Sequence, residues 1–431
     1  MLILLFGVFF LLLAFGVPIL FSMGIAAGVY YVVSGYPLMQ FVQKTVAGVD
    51  SFTLLAIPFF LLAGDIMGKG GISKRMLRFA NSLVGPLTGG LAVTTVISSA
   101  MFGTICGSAP ATAASIGSIV APDMLEHKYS KKFVGSIVAA SGLLGIIIPP
   151  SIVMVNYGAT AGVSIGKLFI GGIIPGILAA GGLAVFSIIQ ARKYGYGMID
   201  GHKQSYDLKE IVSSFKGAIL PLTTPLFILG SIMFGIATAT EAAVISVVWS
   251  AFLTVCVYKE MSFKELCTVI TNGAGKAGQI IGMMASSAAF GYALTVEKVP
   301  ALMARFFVQY VDNVAIFFAI TFLIVLVLGC FLEVIAIIVL VTPILLPVAV
   351  AMHIDPIHFG MFMCLTLCLG GLTPPVGLCL ITTSELVGVD IDKMFPDLLY
   401  CILIYCGVIA LVGLCPGLST YLPSLMATGV H

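Results

Sequence analysis

Two prolines interrupt the apolar stretch GIIIPPSIVMVNYGA, residues 145–159, and the same pair returns in GGLTPPVGLCL, residues 370–380. Proline has no amide hydrogen and cannot continue the hydrogen bonding of a helix, so each stretch predicts a helix that is broken near its middle. Within lipid, non-helical backbone is tolerated only beside a cavity or a buried site. If the surrounding runs span a membrane, the two Pro-Pro segments mark discontinuous helices at a functional site.

The composition places the chain in a membrane. Of 431 residues, 60% are apolar and only 9% are charged, and the mean hydropathy is +1.17. A soluble protein carries about 25% charged residues to cover its core, so a soluble enzyme is excluded. The net charge of +2 gives no reason to expect a nucleic-acid partner. The 10 cysteines form no CxxC pair and read as small apolar residues. The fold class predicted is an all-α polytopic membrane protein.

Two apolar regions are too long for one crossing of about 20 residues. Residues 88–125 are interrupted around Gly103–Ser108, and residues 313–349 are interrupted at Gly329 and Cys330. A re-entrant helical hairpin, which enters and leaves on the same side, fits each region. The other apolar runs predict about nine crossings, the first of them over residues 2–33.

The basic residues orient this arrangement. When the crossings are threaded in order, four of the 20 Lys and Arg residues lie on one side, and all the others lie on the opposite side. The basic side is expected to be cytoplasmic. The N-terminus is then cytoplasmic and the C-terminus is external, and the two hairpins enter from opposite sides. The four exceptions are Lys44, Lys167, Lys298 and Arg305.

The halves of the chain resemble each other at an offset of about 225 residues. The Pro-Pro pairs, the hairpin breaks, and MLRF at 76–79 with MARF at 303–306 share this offset. The threading puts the equivalent segments on opposite sides, which is the mark of inverted repeats in secondary transporters. We predict a first inverted repeat at 1–190, a cytoplasmic linker and connecting span at 191–239, and a second inverted repeat at 240–431.

Oxygen atoms are plentiful at the four broken segments. Freed carbonyls and hydroxyls suit a hard cation such as Na⁺, and the N-termini of half-helices suit a carboxylate. A single Ser or Thr in a membrane helix can instead hydrogen-bond to its own helix, and this reading stays open for each hydroxyl. The polar groups on these segments are Ser98, Ser99, Thr104, Ser108, Thr112, Ser151, Asn156, Thr160, Glu333, Thr342, Thr373, Thr382, Thr383 and Ser384.

Few ionisable residues fall within the spans, and each is a functional candidate by default. Glu333 is the strongest candidate because it adjoins a hairpin break. Asp65 is either functional or solvated near the end of its span. Glu241 is expected to be an acidic residue in the first turn of a helix. Glu385 completes the set.

Two amphipathic stretches, residues 72–84 and 300–312, lead into the hairpins. They could lie in the interface plane as arms that link a moving part to a fixed part, or they could be ordinary connecting helices.

With these features the chain resembles the large membrane subunit of tripartite ATP-independent periplasmic (TRAP) transporters over essentially its whole length. The matching segments, in order, are AIPFFLLAGDIMGKGGIS (56–73), GTICGSAPATAASIGSIVAPDM (103–124), GIIIPPSIVMVNYGA (145–159), TATEAA (238–243), LVTPILLPVA (340–349) and GGLTPPVGLCL (370–380).

The resemblance implies a bacterial inner-membrane protein that takes up an organic acid with Na⁺ by an elevator-type motion and has no other cofactor. It also implies two partners, a small four-helix membrane subunit and a periplasmic substrate-binding protein. Small dicarboxylates and sialic acid are both substrates of the family, and the sugar acid is favoured here. The small subunit should be a separate chain.

The family's hairpin-tip and Pro-Pro segments map onto 103–112, 148–152, 329–333 and 373–377, and their roles are transferred to residues there and to nearby polar positions. The expected ion-binding residues are Ser99, Thr104, Gly107, Ser108, Ile148, Gly329, Glu333, Thr373 and Pro374. The expected substrate-binding residues are Ser108, Ala109, Ser151, Asn156, Glu333 and Thr383. Na⁺ is expected at both interfaces between a hairpin and a Pro-Pro segment.

Two positions depart from the family pattern. Ala239 stands where the family usually has proline, and GCFLEV replaces a shorter Asp-Ser sequence at the second hairpin, which bears on the ligands of the second ion site.

The alternative function is a stand-alone ion-coupled anion transporter of similar hairpin fold. An intramembrane enzyme would need a Ser–His or paired-Asp constellation within the spans, and the sequence has neither, so no enzymatic activity is expected.

Overall fold

The computed structural model describes residues 1–196, 206–311, 313–330, 332–374 and 377–426, and every regular element among them is helical. Apolar residues surround most helices on all sides, as expected of helices buried in lipid and in each other. The all-α class predicted from the sequence is confirmed.

Eleven helices lie before the central polar segment. They are α1 (Leu2–Ala14), α2 (Ile19–Val33), α3 (Leu38–Ala47), α4 (Ala56–Lys69, after a 3₁₀ turn at Phe52–Leu55), α5 (Ile72–Val84), α6 (Gly90–Cys106), α7 (Ala109–Glu126), α8 (Lys131–Gly142), α9 (Leu144–Ile147), α10 (Ile152–Ala161) and α11 (Ile165–Tyr194).

Ten helices follow it. They are α12 (Leu208–Met233), α13 (Ala239–Ala251, extended by a π turn at Phe252–Val257), α14 (Phe263–Val296), α15 (Val299–Tyr310), α16 (Val314–Gly329), α17 (Val334–Ala351), α18 (Pro356–Gly370), α19 (Leu378–Val387), α20 (Ile391–Leu414) and α21 (Gly417–Ser424). Below, α6 with α7 is hairpin 1 and α16 with α17 is hairpin 2.

The chain is a multi-pass membrane protein. Seven of the described helices are long and apolar enough to cross a bilayer, and the helix pair 131–147 and 152–161, bent by 41°, would add an eighth crossing. Some of the predicted crossings are instead pairs of shorter apolar helices. The prediction of a break at Pro149–Pro150 is confirmed, because α8 and α9 end before it and α10 begins after it.

The first predicted crossing, over residues 2–33, is wrong. The chain turns between α1 and α2, where Gly16 has a φ of 78°. The ring of Phe290 on α14 lies 5.8 Å from that of Phe6 and 5.5 Å from that of Phe9. On α2, Gly24 faces Ser286 and the Tyr31 ring lies 6.3 Å from that of Tyr292.

These contacts place Phe9 of α1 beside the second half of α2. In one continuous helix, Phe9 would instead lie about 15 Å from Ile19, the first residue of α2. Helices α1 and α2 therefore fold back on each other, and the first residue lies at the same end as Val33. The prediction of a cytoplasmic N-terminus depended on one continuous crossing, so this basis for it is lost.

Helices with equivalent positions follow one another in the same order in both halves. The amphipathic helix α5 precedes hairpin 1, and α15 precedes hairpin 2. A broken helix comes next in each half, α8 to α10 in the first and α18 with α19 in the second, and then the long helices α11 and α20. Between the halves, α11 ends at Tyr194 and α12 begins at Leu208, and residues 197–205 lie outside the described part.

The hairpin and broken helix of each half pack against those of the other half. Helix α10 packs on α17 of hairpin 2, α19 packs on α7 of hairpin 1, and α8 packs on α20. Hydrogen bonds join the halves, since Tyr405 Oη donates to the carbonyl of Ala140 at 2.8 Å and Tyr157 Oη to that of Pro356 at 2.9 Å. The hairpins and broken helices therefore form one packed body.

Candidate functional site

The tip of hairpin 1 is a two-residue break in the helix. Helix α6 ends at Cys106, Gly107 adopts a left-handed conformation with a φ of 62°, and Ser108 is the extended N-cap residue of α7. A Cβ at Gly107 would lie 3.1 Å from the carbonyl oxygen of Pro150. Glycine is therefore favoured here both by its φ and by the close approach of the first Pro-Pro segment.

The first Pro-Pro segment is extended between two helices. Ile148 ends α9 with a ψ of 125°, and Ser151 caps α10. The Ser151 hydroxyl accepts from the amide of Met154 at 3.4 Å and donates to the carbonyl of Ile146 at 2.6 Å. Ser151 thus uses both its donor and one acceptor position to hold the break together.

Glycines let hairpin 1 touch this break backbone to backbone. A Cβ on Gly103 would lie 2.6 Å from the Cα of Gly145, and a Cβ on Gly145 would lie 2.9 Å from the carbonyl oxygen of Ser108. These distances leave no room for a methyl group without a shift of the backbone. The structure therefore brings together Gly107, Ser108, Ile148 and Ser151, which the sequence assigned to one site.

Hairpin 2 repeats the contact. Gly329 ends α16, and a Cβ on it would lie 3.3 Å from the Cα of Gly370, where α18 ends. The pairs Gly103–Gly145 and Gly329–Gly370 are related by the offset of about 225 residues. Glu333 is the extended N-cap residue of α17, and its side chain is exposed.

The second Pro-Pro segment is described only in part. Thr373 and the exposed Pro374 follow α18, and Gly377, with a φ of 30°, begins α19. Pro375 and Val376 lie outside the described residues. The break predicted between two half-helices is confirmed, and its ion-binding role stays a prediction.

The two broken helices approach each other. A Cβ on Gly371 would lie 3.2 Å from Cδ2 of Leu143, so the first and second breaks are neighbours. Asn156 is carried by α10, which packs on hairpin 2, and Thr383 by α19, which packs on hairpin 1. The four broken segments thus belong to one region of the protein.

Several predicted hydroxyls hydrogen-bond to their own helices. Thr104 donates to the carbonyl of Met101 at 2.6 Å, Thr373 to that of Leu369 at 2.7 Å, and Thr383 to that of Cys379 at 2.8 Å. Their oxygen lone pairs stay available to a cation, but these hydroxyls cannot donate to a substrate without leaving the helix. Ser99 and Ala109 are buried in the same region.

Four buried oxygens among the polar groups predicted at the broken segments have no hydrogen-bond partner among the described residues. They are Oδ1 of Asn156, Oγ of Ser98, Oγ1 of Thr160 and Oγ1 of Thr342. A buried polar atom without a partner is costly and points to a ligand, an ion or a water. Of the substrate residues predicted from the sequence, Asn156 is the one with this signature.

The other ionisable residues in the predicted spans differ in their partners. Glu241 forms a capping box with Thr238, so the predicted first-turn role is confirmed. Asp65 forms an ion pair with Lys276, whose Nζ lies 2.8 Å from Oδ2. Glu385 is exposed on α19.

Helix α14 is longer than the crossing that the sequence predicts for it, because it begins at Phe263, thirteen residues or about 20 Å before Lys276. Sequence reasoning missed the pairing of Lys276 with Asp65. The polar segment TNGAGKAGQ, residues 271–279, lowers the local hydropathy and hid the helix. The capping box of Ser262 and Glu265 was a signal that could have located the true start.

A cavity of about 890 Å³ lies elsewhere, at the ends of helices. It is lined by the 3₁₀ turn before α4, the α10–α11 turn and the start of α13, including Lys167 and Glu241. None of the hairpin-tip residues lines it, so it is distinct from the region predicted as the site.

Comparison with known proteins agrees with this architecture. The profile of the family described as "Tripartite ATP-independent periplasmic transporter, DctM component" matches residues 6–418. The chain is 37% identical over 423 residues to the isethionate TRAP transporter permease protein DctMQ of Oleidesulfovibrio alaskensis, covering 98% of this chain and 65% of that protein.

Other relatives match end to end. The C4-dicarboxylate TRAP transporter large permease protein DctM of Rhodobacter capsulatus is 33% identical, with 98% of each chain covered. The sialic acid TRAP transporter large permease protein SiaM of Vibrio cholerae is 35% identical, with 96% of each chain covered. The crystal structure of the Alcanivorax borkumensis YdaH transporter shares the fold, with a TM-score of 0.59 at 14% identity and coverage of 89% of this chain and 90% of that one.

These relatives are transporter permeases rather than enzymes. The family match covers more than nine tenths of the chain, and the large-permease relatives align over nearly the full length of both proteins. The chain belongs to the tripartite ATP-independent periplasmic transporter family, as its large membrane subunit.

Proposed function

We propose that this protein carries out Na⁺-coupled uptake of an organic acid across the bacterial inner membrane. The observation that carries the proposal is the repeated glycine contact, Gly103 with Gly145 and Gly329 with Gly370, which presses each hairpin against its own broken helix. Two such junctions in one body provide paired sites of irregular backbone, where a membrane transporter can hold ions and substrate.

Na⁺ binds at these two junctions. The atoms available there are oxygens, including backbone carbonyls freed by the prolines and the unpartnered Oδ1 of Asn156. A hard cation prefers such ligands. At hairpin 2, the carboxylate of Glu333 stands at the N-terminus of α17, where the helix dipole stabilises negative charge and where it can also attract a cation.

The organic acid binds between the hairpins. Ser108 makes no side-chain capping bond at the start of α7, so the amides of that first turn, except at Pro110, which has none, are available to an anion. Since Glu333 would repel an anion, the carboxylate of the substrate is directed to the hairpin 1 side of the site.

Transport proceeds by an elevator-type motion of two inverted repeats. The matching order of helices in the two halves supports the repeats, and the interlocked packing of hairpins and broken helices supports a body that moves as a unit. The amphipathic helices α5 and α15 are the arms that join this body to the remaining helices.

The basic residues orient the protein with α5 on the cytoplasmic side and α15 on the periplasmic side. The C-terminus is then periplasmic, as predicted. Because α1 folds back on α2, the first residue lies on the side of Val33, which this orientation makes periplasmic. The N-terminus is therefore proposed to be periplasmic, in place of the cytoplasmic position predicted from the sequence.

Two partners complete the system, a small four-helix membrane subunit and a periplasmic substrate-binding protein. The names of the relatives mention isethionate, C4-dicarboxylates and sialic acid. All three are small organic anions, so the substrate class proposed is an organic acid, and sialic acid and a C4-dicarboxylate are the first to test.

Uptake by liposomes tests the proposal. The protein is reconstituted with its small subunit, and the binding protein loaded with labelled sialic acid or succinate is added outside. We expect accumulation only under an inward Na⁺ gradient. Equal accumulation in choline medium with a proton gradient would exclude Na⁺ coupling, and uptake without the two partners would favour a stand-alone carrier.

A further inference from the structure

A polar stripe runs along the first half of α14, which has 34 residues. Asn272, Lys276 and Gln279 are spaced i, i+4 and i+7, so they share one face of the helix. All three are exposed, and the side chain of Lys276 is 56% exposed despite its ion pair. Lipid cannot solvate such a face, so the stripe borders water or a polar ligand.

The middle residue of the stripe, Lys276, pairs with the helix that touches the tip of hairpin 1. A Cβ on Gly64 of α4 would lie 2.7 Å from the carbonyl oxygen of Cys106, so α4 touches the last residue of α6. Asp65 is the next residue of α4 and holds Lys276. The helix that touches the tip of hairpin 1 therefore carries the partner of the Lys276 ammonium group.

A second contact extends this boundary along hairpin 1. A Cβ on Gly68, one turn after Gly64, would lie 3.5 Å from Oγ of Ser115 on α7. Ser108 and Ser115 are partly exposed and Ser118 is exposed on the same helix. Hydroxyls of hairpin 1 thus face the side of the protein where α4 and α14 place Asp65 and Lys276.

We propose that Lys276 contacts the substrate from the side opposite hairpin 1, and that its ammonium group binds the anionic group of the organic acid. Asp65 is a positioning residue that holds the lysine side chain toward the hairpin tip and offsets its charge when no substrate is bound. This inference rests on the proposed transport of an organic acid.

The Asp65 carboxylate accepts through both oxygens from the same ammonium, at 2.8 and 3.2 Å. An ammonium group has three donors, and the exposed fraction of Lys276 leaves it open to a second acceptor. A carboxylate or sulfonate that reaches the hairpin tip can therefore bind without breaking the ion pair.

A neutral double variant separates this role from a structural ion pair. Lys276→Met, Asp65→Asn and the pair together are compared for uptake of sialic acid, succinate and isethionate by the reconstituted complex. Lys264→Met, an exposed lysine in the first turn of the same helix, is the matched control. Assembly with the small subunit and thermal unfolding are measured for every variant.

We expect Lys276→Met and the double variant to raise the half-saturating concentration of the transported acid about tenfold or more, because a charge-assisted hydrogen bond is lost. Asp65→Asn should change it less than about threefold, because the lysine remains. The Na⁺ concentration for half-maximal uptake should stay as in the parent for all variants, as it should for the control.

Recovery of the double variant to the parent's half-saturating concentration would overturn the proposal, since a purely structural pair is satisfied once both charges are removed. If the parent imports none of the acids, the proposed function fails. Calorimetric titration of the complex with the same acids then measures substrate binding by Lys276→Met and by the parent. An unchanged affinity in Lys276→Met, or no binding by the parent, contradicts the role of Lys276.

Discussion

The two arms occupy equivalent positions before the hairpins, and both make ring contacts, but they differ in their charged contacts. On α5, Arg75 pairs with Glu260 at 2.6 Å and stacks over the ring of Tyr258 at 3.8 Å. Arg78 makes two hydrogen bonds to Glu210, at 2.7 and 2.9 Å. Charges and polar groups thus tie the first arm to the chain around α12 and to the turn before α14.

The second arm is held by rings. Phe307 of α15 is 2% exposed, and its ring meets that of Phe317 at 5.4 Å in an edge-to-face arrangement. No ion pair within 4 Å involves α15 among the described residues, and Arg305 is exposed.

The difference shows that two helices in equivalent chain positions can be attached in different ways. A polar anchor can be broken and re-formed in water at low cost, whereas an aromatic anchor loses contact area when it opens. The hairpin tips differ as well, since the glycine contact of hairpin 1 is closer than that of hairpin 2. Hairpin 1 therefore combines a tight tip with an arm that has ion pairs in addition to its buried apolar face.

Truncation of the aromatic anchor should have the largest effect on stability. Phe307→Ala removes a buried ring and is expected to lower the free energy of unfolding by about 3 kcal/mol. Leu302→Ala on the same arm, a side chain 55% exposed, is the control and should change it by less than about 0.5 kcal/mol. Thermal unfolding of the purified protein in detergent measures both, and equal effects would contradict the aromatic anchor.

A methyl group at the hairpin contacts should distinguish the two tips. Gly103→Ala places a Cβ 2.6 Å from the Cα of Gly145 and should cost about 2 kcal/mol of stability. Gly329→Ala meets Gly370 at 3.3 Å and should cost about half as much. Gly230→Ala, which meets nothing within 4 Å, is the control. The same unfolding assay applies, and a larger effect at Gly329 would reverse the proposed order.

The polar anchor should give a smaller effect that depends on salt. Arg75→Ala removes an ion pair and a cation–π contact and is expected to cost about 1 kcal/mol at low ionic strength. Arg305→Ala on the other arm should be within about 0.5 kcal/mol of the parent. Repeating the unfolding in high salt should shrink the Arg75 effect, because screening weakens partly exposed pairs. An effect that is independent of salt would indicate packing instead of charge.

Much of the fold could be predicted because proline and glycine have local consequences. The break at Pro149–Pro150 follows from missing amide hydrogens, and the turn at Gly107 follows from the freedom of glycine. The turn after α1 was missed although Gly16 and Pro18 signal it, because a long apolar run looks the same whether it crosses once or folds back.

The site could be predicted less completely because partners in space are not adjacent in sequence. The pairing of Asp65 with Lys276 joins residues on two separate helices, and no local pattern indicates it. The contact of Gly103 with Gly145 likewise depends on how a hairpin packs against a broken helix. Whether Thr104 bonds to its own helix was open from the sequence, and the structure shows that it does.

As parts of inverted repeats, the two arms are proposed to lie on opposite faces of the membrane. This is tested directly by labelling with a membrane-impermeant maleimide after the exposed Cys256, Cys267 and Cys415 are replaced by serine. Lys74→Cys on α5 and Arg305→Cys on α15, both at exposed positions, are introduced separately and probed in right-side-out and inside-out vesicles. We predict that Arg305→Cys labels only from the periplasmic side and Lys74→Cys only from the cytoplasmic side. Labelling of both from one side would contradict the inverted arrangement.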